Sequence, residues 1–153
     1  MEISIKGLNL LEDLEGLRLK AYPDPATGGN PWTIGIGSTI VNGKPVLPGM
    51  TCTKEEAYEY CKEHLKSDVY PTIKRYVKVK LNQNQFDALC SFIYNIGVNA
   101  FINSTLLVIL NNGQYKNASK QILRWTRANK RVMPGLVTRR RKEQMLFDSI
   151  EDV

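Results

Sequence analysis

One stretch of the sequence combines carboxyl, hydroxyl and turn-forming groups: EGLRLKAYPDPATGGNPWTIGIGST, residues 15–39. In it, Glu15 ends an apolar segment and Asp24 stands between two prolines. A tryptophan then leads into threonines and alternating glycines. Two carboxyl groups and several hydroxyls so close in the chain are typical of a site for acid–base chemistry.

The residues before Glu15 predict a short amphipathic helix over about residues 4–15, ended by Gly16. On this helix Glu15 lies between Leu8 and Leu11, on the flank of the apolar stripe. A carboxyl group there would be partly desolvated, and desolvation favours the protonated form that a general acid needs. The alternative is an ordinary surface glutamate at a helix end.

Asp24 has a different predicted environment, because Pro23 and Pro25 stiffen a polar turn around it. We expect its carboxyl group to stay hydrated and ionised. One protonated and one ionised carboxyl group form the pair that most glycosidases use. The PDP motif alone is also a common turn, so the hypothesis of a glycosidase pair depends on Asp24 and Glu15 together.

The segment TIGIGSTI, residues 33–40, alternates with period two and predicts a strand of a small hairpin sheet. One predicted face carries hydroxyls and glycines: Thr33, Gly35, Gly37 and Thr39. The other face carries the isoleucines and a serine: Ile34, Ile36, Ser38 and Ile40. We expect the isoleucines to face the core and the glycine face to form a flat floor for a sugar chain. The alternative is a glycine-kinked hairpin without a ligand.

The remainder of the chain predicts helices. Thr53 and Glu56 form a capping-box pattern, NQNQFDALCSFIYNIG has an apolar face, and Gly113 ends the short apolar helix STLLVILNNG. Two basic helices are expected around the turn at Met133–Gly135. The predicted fold is α+β and mainly α, with a β-containing lobe over about residues 14–50, a helical lobe over about 53–153 together with the N-terminal helix 4–15, and a cleft between the lobes.

Composition limits the other classes of function. The 153 residues, 42% of them hydrophobic, fit one domain. Three cysteines without CxxC spacing argue against a disulfide framework or a thiolate zinc site, and the single histidine, His64, excludes a histidine metal cluster. No apolar run is long enough for a membrane span, and charges among the first leucines are atypical of a signal peptide. We therefore expect a protein kept in the cytosol.

The net charge of +6 is concentrated late in the chain. Between Lys116 and Lys142 there are ten Lys or Arg residues and no Asp or Glu. Such a run predicts a cationic surface for an anionic polymer, and nucleic acid and bacterial cell wall both qualify.

Several motifs together resemble the phage-type lysozymes, glycoside hydrolase family 24. They are EGLRLKAYPDP with WTIGIG, QNQFDALCSFIYNIG, AFINSTLLVILNNG and PGLVTRRRKEQMLF, and they span nearly the whole chain. The resemblance implies a lysozyme-like fold and a phage endolysin, a muramidase that hydrolyses the β-1,4 bond between N-acetylmuramic acid and N-acetylglucosamine in host peptidoglycan. It implies no metal or organic cofactor, a monomer, and a holin-type membrane lesion through which the enzyme leaves the host cytoplasm for the wall.

Matched to the motif positions of that family, three residues would carry the chemistry. Glu15 would protonate the leaving glycosidic oxygen, Asp24 would stabilise positive charge on the sugar and help to activate water, and Thr33 would help to place that water. The same matching implies substrate contacts for three further residues: Thr39, Tyr94 and Ser104.

The sequence departs from the family pattern at two points. The segment DPATGGNPW makes the Asp24 to Thr33 connection longer than in the most compact relatives. Ser38 stands where relatives commonly carry histidine. Since Ser38 falls on the predicted core side, we expect that change to affect packing or stability more than chemistry.

Two other functions compete with the muramidase. A lytic transglycosylase cleaves the same bond with a single catalytic acid, and the presence of Asp24 and Thr33 beside Glu15 favours hydrolysis over it. A nucleic-acid-binding module would use the basic run and Trp125. It leaves residues 15–39 unexplained and lacks a zinc-finger or RNP motif, so we expect no nucleic-acid partner.

Overall fold

The structure is a computed structural model that describes residues 1–150. It is mainly helical, and its three sheets within that range are two-stranded antiparallel hairpins. The elements follow the chain as α1 (Ile5–Glu15), β1 (Arg18–Tyr22), β2 (Thr33–Gly35), β3 (Ile40–Val41), β4 (Lys44–Pro45), α2 (Lys54–His64), a π-helical segment (Leu65–Val69), α3 (Tyr70–Tyr76), α4 (Gln83–Ile96), α5 (Val98–Ile102), α6 (Thr105–Asn111), α7 (Tyr115–Ile122), β5 (Arg127–Ala128), β6 (Arg131–Val132) and α8 (Pro134–Asp148). The predicted α+β, mainly α class is confirmed. Among residues 1–150, no helix has both the length and the apolar character needed to cross a membrane.

The chain forms two compact units. The first, here called the hairpin unit, is Asn9–Ser67, and the second, here called the helical unit, comprises Met1–Leu8 and Asp68–Val153. Helix α2 therefore belongs with the hairpins, whereas the sequence predicts a helical lobe that begins near residue 53. The reason is that α2 packs on β2, where a Cβ atom added to Gly35 would lie 3.2 Å from the Cβ of Ala57.

The hairpin unit has its own small core. Strand β1 pairs antiparallel with β2, and β3 pairs with β4. The buried core residues of these strands and the following loop are Ala21, Ile34, Val41 and Val46, with Trp32, Met50, Cys52 and Tyr60 packed against them. The start of α2 has the predicted capping box, in which Thr53 and Glu56 each accept a bond from the other's backbone N–H. The core and the capped helix fix the ends of β1 and β2.

The prediction of a continuous strand over residues 33–40 is wrong. Strand β2 ends at Gly35, the chain turns at residues 36 and 37, and Ser38 pairs back with Ile34. The φ angles of Gly35 and Gly37 are +68° and +70°, a left-handed conformation that an extended strand does not contain. The alternating glycines therefore build a tight turn, and the predicted flat floor is absent from this segment.

The burial of residues 33–40 agrees in part with the two faces predicted from the sequence. Ile34 and Ile36 are buried as predicted, but Ile40 is 61% exposed because the turn breaks the period-two pattern before it. Ser38 is buried, as expected, and its hydroxyl has no hydrogen-bond partner among the described residues. A buried hydroxyl without a partner lowers the stability of a fold. The expected effect of Ser38 on packing or stability therefore has a physical basis and stays a prediction.

Helix α4 is the buried centre of the helical unit. It is capped by Asn82 and packs against α8. On its predicted apolar face, Phe86, Leu89, Cys90 and Ile93 are buried and Tyr94 is partly buried. Helix α6 ends before Gly113, whose φ of +77° stops the helix as predicted.

The prediction that everything after residue 53 is helical is wrong at residues 127–132, where β5 and β6 form a hairpin. Its two-residue turn consists of Asn129 and Lys130, with φ of 51° and 63°. Two successive left-handed residues are what a type I′ hairpin turn requires, and asparagine tolerates that conformation well. In the rest of the basic run, residues 116–122 lie in α7 and residues 134–142 in α8, whereas residues 123–126 and 133 are outside the helices.

Two cations of the predicted basic surface are buried instead. Arg139 and Arg140 are 6% and 1% exposed, and both pair with Glu143, which is fully buried. Arg139 also donates to the carbonyl oxygen of Ser91 at 2.9 Å, and Arg140 donates to that of Trp125 at 2.8 Å. These two arginines join α8 to the neighbouring segments and do not belong to the cationic surface.

Candidate active site

Glu15 is the last residue of α1, and Gly16 ends that helix with a φ of +81°. The Glu15 side chain is partly buried. Its carboxylate lies against the turn that follows β2, where a Cβ atom added to Gly37 would be 2.6 Å from Oε1 of Glu15. Gly37 is therefore needed for the close approach of this carboxylate, because any other residue would displace it. The sequence predicts a close approach to the glycine backbone, and the group that makes it is Glu15.

Thr33 begins β2 and lies directly opposite Tyr22, the last residue of β1. Burial raises the pKa of Tyr22, the charge of Arg18 lowers it, and the charge of Glu15 raises it. The strand register thus places Thr33 opposite Tyr22, and the charge of Glu15 acts on the same tyrosine.

Asp24 follows two residues after Tyr22, in the loop between β1 and β2. The loop is closed on Asp24 itself: its backbone N–H donates to Gly29 at 2.9 Å, and its carbonyl oxygen accepts from Gly28 at 2.7 Å. The Asp24 Oδ1 atom accepts a long bond of 3.4 Å from the N–H of Ala26. The predicted polar turn thus exists, and it holds a partly buried carboxylate close to the end of β1.

The three predicted substrate contacts are in different places. Thr39 is exposed in the hairpin unit, where its carbonyl oxygen accepts from Val46 at 2.9 Å. Tyr94 is a partly buried residue of α4 in the helical unit. Ser104 is 5% exposed and is the N-cap of α6, donating to Phe101 at 2.6 Å and accepting from Leu107 at 3.2 Å. Because this hydroxyl already caps a helix inside the protein, we leave Ser104 out of the proposed substrate contacts.

Sequence reasoning missed Tyr22. An aromatic residue before a PDP turn is typical of the core, and the strand that carries it, β1, lies outside the strand predicted over residues 33–40. The available signal was the position of Tyr22 in the stretch itself, between the two carboxyl groups. Among residues 1–150, no cluster of His, Cys, Asp and Glu side chains could hold a metal ion.

Comparison with known proteins identifies the family. The model of the phage lysozyme family matches residues 12–143. The chain belongs to the phage lysozyme family. The endolysin of Salmonella phage P22 is 48% identical over 148 residues, which are 96% of this chain and 98% of that protein. The endolysin of Acyrthosiphon pisum secondary endosymbiont phage 1 is 42% identical over 97% of this chain and 99% of its own length.

The fold agrees with the sequence match. A crystal structure of a P22 lysozyme mutant superposes with a TM-score of 0.85 at 46% identity, covering 97% of this chain and 99% of that one. The predicted family and lysozyme-like fold are confirmed, and with them the prediction of a phage enzyme that acts on the cell wall. The roles assigned to Glu15, Asp24 and Thr33 stay predictions.

Proposed function

We propose that the protein is an endolysin that lyses the phage host by hydrolysing the β-1,4 bond between N-acetylmuramic acid and N-acetylglucosamine. The proposal rests on one observation above all: within the hairpin unit, strand pairing places Thr33 opposite Tyr22, two residues before Asp24, and the charge of Glu15 acts on the same tyrosine. A proton donor, a hydroxyl and a second carboxylate are the groups that glycoside hydrolysis needs.

The proposed reaction assigns one proton transfer to each carboxyl group. Glu15 donates its proton to the glycosidic oxygen as the bond to the muramic acid carbon breaks. A water molecule held by Thr33 adds to that carbon from the opposite face, and its proton passes to Asp24. Asp24 also stabilises the positive charge that develops on the sugar. Water has then been added across the bond, and the proton returns from Asp24 to Glu15 through solvent.

A turbidity assay tests the proposal. Purified protein should clear a suspension of outer-membrane-permeabilised bacteria, because cutting the glycan strands removes the mechanical support of the wall. A folded protein that fails to clear such cells and releases no sugar reducing ends would contradict it. The holin-type lesion implied by the family resemblance is outside this assay and stays a prediction.

Replacing Asp24 by Asn should lower the lytic rate by about 10²-fold or more, because the amide can neither take a proton nor stabilise a cationic sugar. The rate is measured by turbidity clearing with purified, folded variants. Asp24→Glu should retain part of the activity if its carboxylate still reaches the sugar. The matched control is Asp13→Asn, on an exposed residue of α1, which should clear at the parent rate. Equal rates for Asp24→Asn and parent would leave Asp24 as a turn residue only.

The exposed cations of the basic run are proposed to hold the enzyme on the anionic wall. These exposed cations, here together called the basic surface, are Lys120, Arg124, Arg127, Lys130, Arg131, Arg141 and Lys142. Lys116 is left out because it pairs with Asp148 at 3.1 Å. With the buried arginines also excluded, the basic surface is smaller than the sequence predicts.

Changing Lys120, Arg127 and Lys130 together to Gln should slow the clearing of intact walls at low salt. The difference from parent should shrink at high salt, because exposed charges act over a Debye length of about 8 Å at physiological ionic strength. Cleavage of a short, uncharged chitin oligomer should be unchanged. The control is the same charge removal at three exposed lysines elsewhere: Lys44, Lys66 and Lys74. An equal loss on both substrates at every salt concentration would rule out electrostatic docking.

A further inference from the structure

We propose that Asn95 and Trp125 form a subsite that binds an acetamido group of the peptidoglycan sugars. The side-chain amide of Asn95 donates to the acetamido oxygen, and the ring of Trp125 packs against the methyl group and the sugar beside it. The inference rests on the proposed function and names two residues to which the family motifs quoted above assign no role. Both residues belong to the helical unit, where the buried side chain of Arg140 brings them together.

All three guanidinium nitrogens of Arg140 are bound inside the protein. Arg140 lies on α8 and is 1% exposed. Its Nε donates to the carbonyl oxygen of Trp125 at 2.8 Å, its Nη1 to Glu143, and its Nη2 to Oδ1 of Asn95. The ring of Phe92 lies against the group, with its centroid 5.2 Å from the guanidinium carbon. Because every nitrogen has an acceptor, the guanidinium group has one orientation and fixes the groups that it binds.

The contact with Arg140 also decides which way the Asn95 amide faces. Arginine only donates hydrogen bonds, so the atom of Asn95 that it contacts is the oxygen. The Nδ2 atom then faces away from Arg140. Asn95 is an exposed residue near the end of α4, and within residues 1–150 no protein group accepts from its Nδ2. The protein thus presents to solvent an amide donor whose direction is fixed from the interior.

Trp125 supplies an aromatic surface beside this donor. It lies in the connection between α7 and β5 and is partly buried. Its ring packs edge-to-face with the buried ring of Phe92, with centroids 5.9 Å apart and an interplanar angle of 84°. The bond from Arg140 holds the backbone of the same residue. An indole ring held in this way is a rigid apolar surface next to a polar donor, the combination that small-molecule sites use.

The charges favour an acetamido group over a carboxylate of the peptide stem. The guanidinium group of Arg140 is buried and its nitrogens already bind protein acceptors, so its charge does not face an anionic ligand. A neutral amide donor suits the neutral carbonyl oxygen of an acetamido group, and the indole ring suits its methyl group. Both sugars of the proposed substrate carry this group. The subsite therefore recognises the glycan strand and not its peptides.

Asn95→Asp removes the donor but keeps the oxygen that Arg140 binds. In the buried network, Arg139 and Arg140 share the single negative charge of Glu143, so a carboxylate at position 95 balances the second cation. The melting temperature should therefore equal or exceed the parent value. On soluble peptidoglycan chains, KM should rise about 5- to 10-fold with kcat unchanged, the effect of losing one neutral hydrogen bond made equally in the ground and transition states. The control is Asn99→Asp, on an exposed residue of α5, which should keep the parent KM.

An NMR titration identifies the chemical group that is bound. The probe is the N-acetylglucosamine tetramer, added to the Glu15→Gln protein so that the sugar is not cleaved. The side-chain amide signal of Asn95 and the indole N–H signal of Trp125 should both shift. The N-deacetylated tetramer should shift neither signal, and a stem peptide without sugar should also leave both unchanged.

Four results would overturn the inference. They are a parent-like KM for Asn95→Asp, a fall in its melting temperature that accounts for its lower activity, an acetylated tetramer that leaves both signals in place, and equal shifts with the deacetylated tetramer or the stem peptide. The second result would show that Asn95 only supports the fold. A parent protein that does not clear permeabilised cells would instead refute the proposed function, so the two failures are distinguishable.

Discussion

Glu15→Gln will fold as the parent does and lose nearly all lytic activity, with a rate lower by about 10²-fold or more. The amide has the shape of the carboxyl group and fits the space against Gly37, where Oε1 lies 2.6 Å from the position of an added Cβ. It has no acidic proton, so the glycosidic oxygen would have to leave as an alkoxide. Turbidity clearing of permeabilised cells measures the rate, and circular dichroism checks the fold.

The matched control for this change is Glu12→Gln, one turn earlier on the same helix. Glu12 is partly buried and helps to raise the pKa of Tyr58, but it lies outside the proposed machinery. We expect this variant to clear at the parent rate. A properly folded Glu15→Gln protein with substantial activity would remove Glu15 from the role of proton donor.

Glu143→Gln should lower the free energy of unfolding by about 3–5 kcal/mol, the cost of leaving a buried charge without its partner. Glu143 is fully buried, and its two carboxylate oxygens pair with Arg139 at 3.2 Å and with Arg140. The amide preserves volume but removes the only negative charge in these two ion pairs. For a protein of this size we expect a melting temperature lower by roughly 6–20 °C, measured by calorimetry.

An exposed ion pair provides the control for Glu143. Glu59 pairs with Lys62 at 3.8 Å with a side chain 72% exposed. Exposed pairs contribute about 0–1 kcal/mol, so Glu59→Gln should melt close to the parent temperature. If Glu143→Gln also melted close to the parent temperature, Arg139 and Arg140 would not depend on the negative charge of Glu143. The buried network would then have no role in stability.

The helices could be predicted because their signals are local. The capping box at Thr53 and Glu56 and the positive φ of Gly113 each follow from a few neighbouring residues, and both agree with the structure. The turn after β2 could not be predicted in the same way. An alternation of isoleucine and glycine fits a half-buried strand as well as a turn, since glycine adopts both conformations. The choice is made by the packing of Gly35 on α2 and of Gly37 on Glu15.

The prediction that the whole basic run is exposed was wrong for a different reason. A block of cations predicts solvent exposure, but burial of Arg139 and Arg140 depends on Glu143, the first acidic residue after the block, and on Ser91 and Trp125 from distant segments. Such a network is a tertiary feature without a local signal. At the candidate site, the three predicted residues lie within the family motifs. The position of Tyr22 opposite Thr33 follows only from the strand register of the structure.

The most direct test of the proposed bond cleavage is mass spectrometry of purified peptidoglycan after digestion with the parent protein. Hydrolysis as described predicts muropeptides that end in reducing N-acetylmuramic acid. Products ending in 1,6-anhydro-N-acetylmuramic acid would show a transglycosylase, and reducing N-acetylglucosamine ends or uncut glycan with severed peptides would show that a different bond is cleaved. Any of these three results would contradict the roles proposed for Glu15, Asp24 and Thr33.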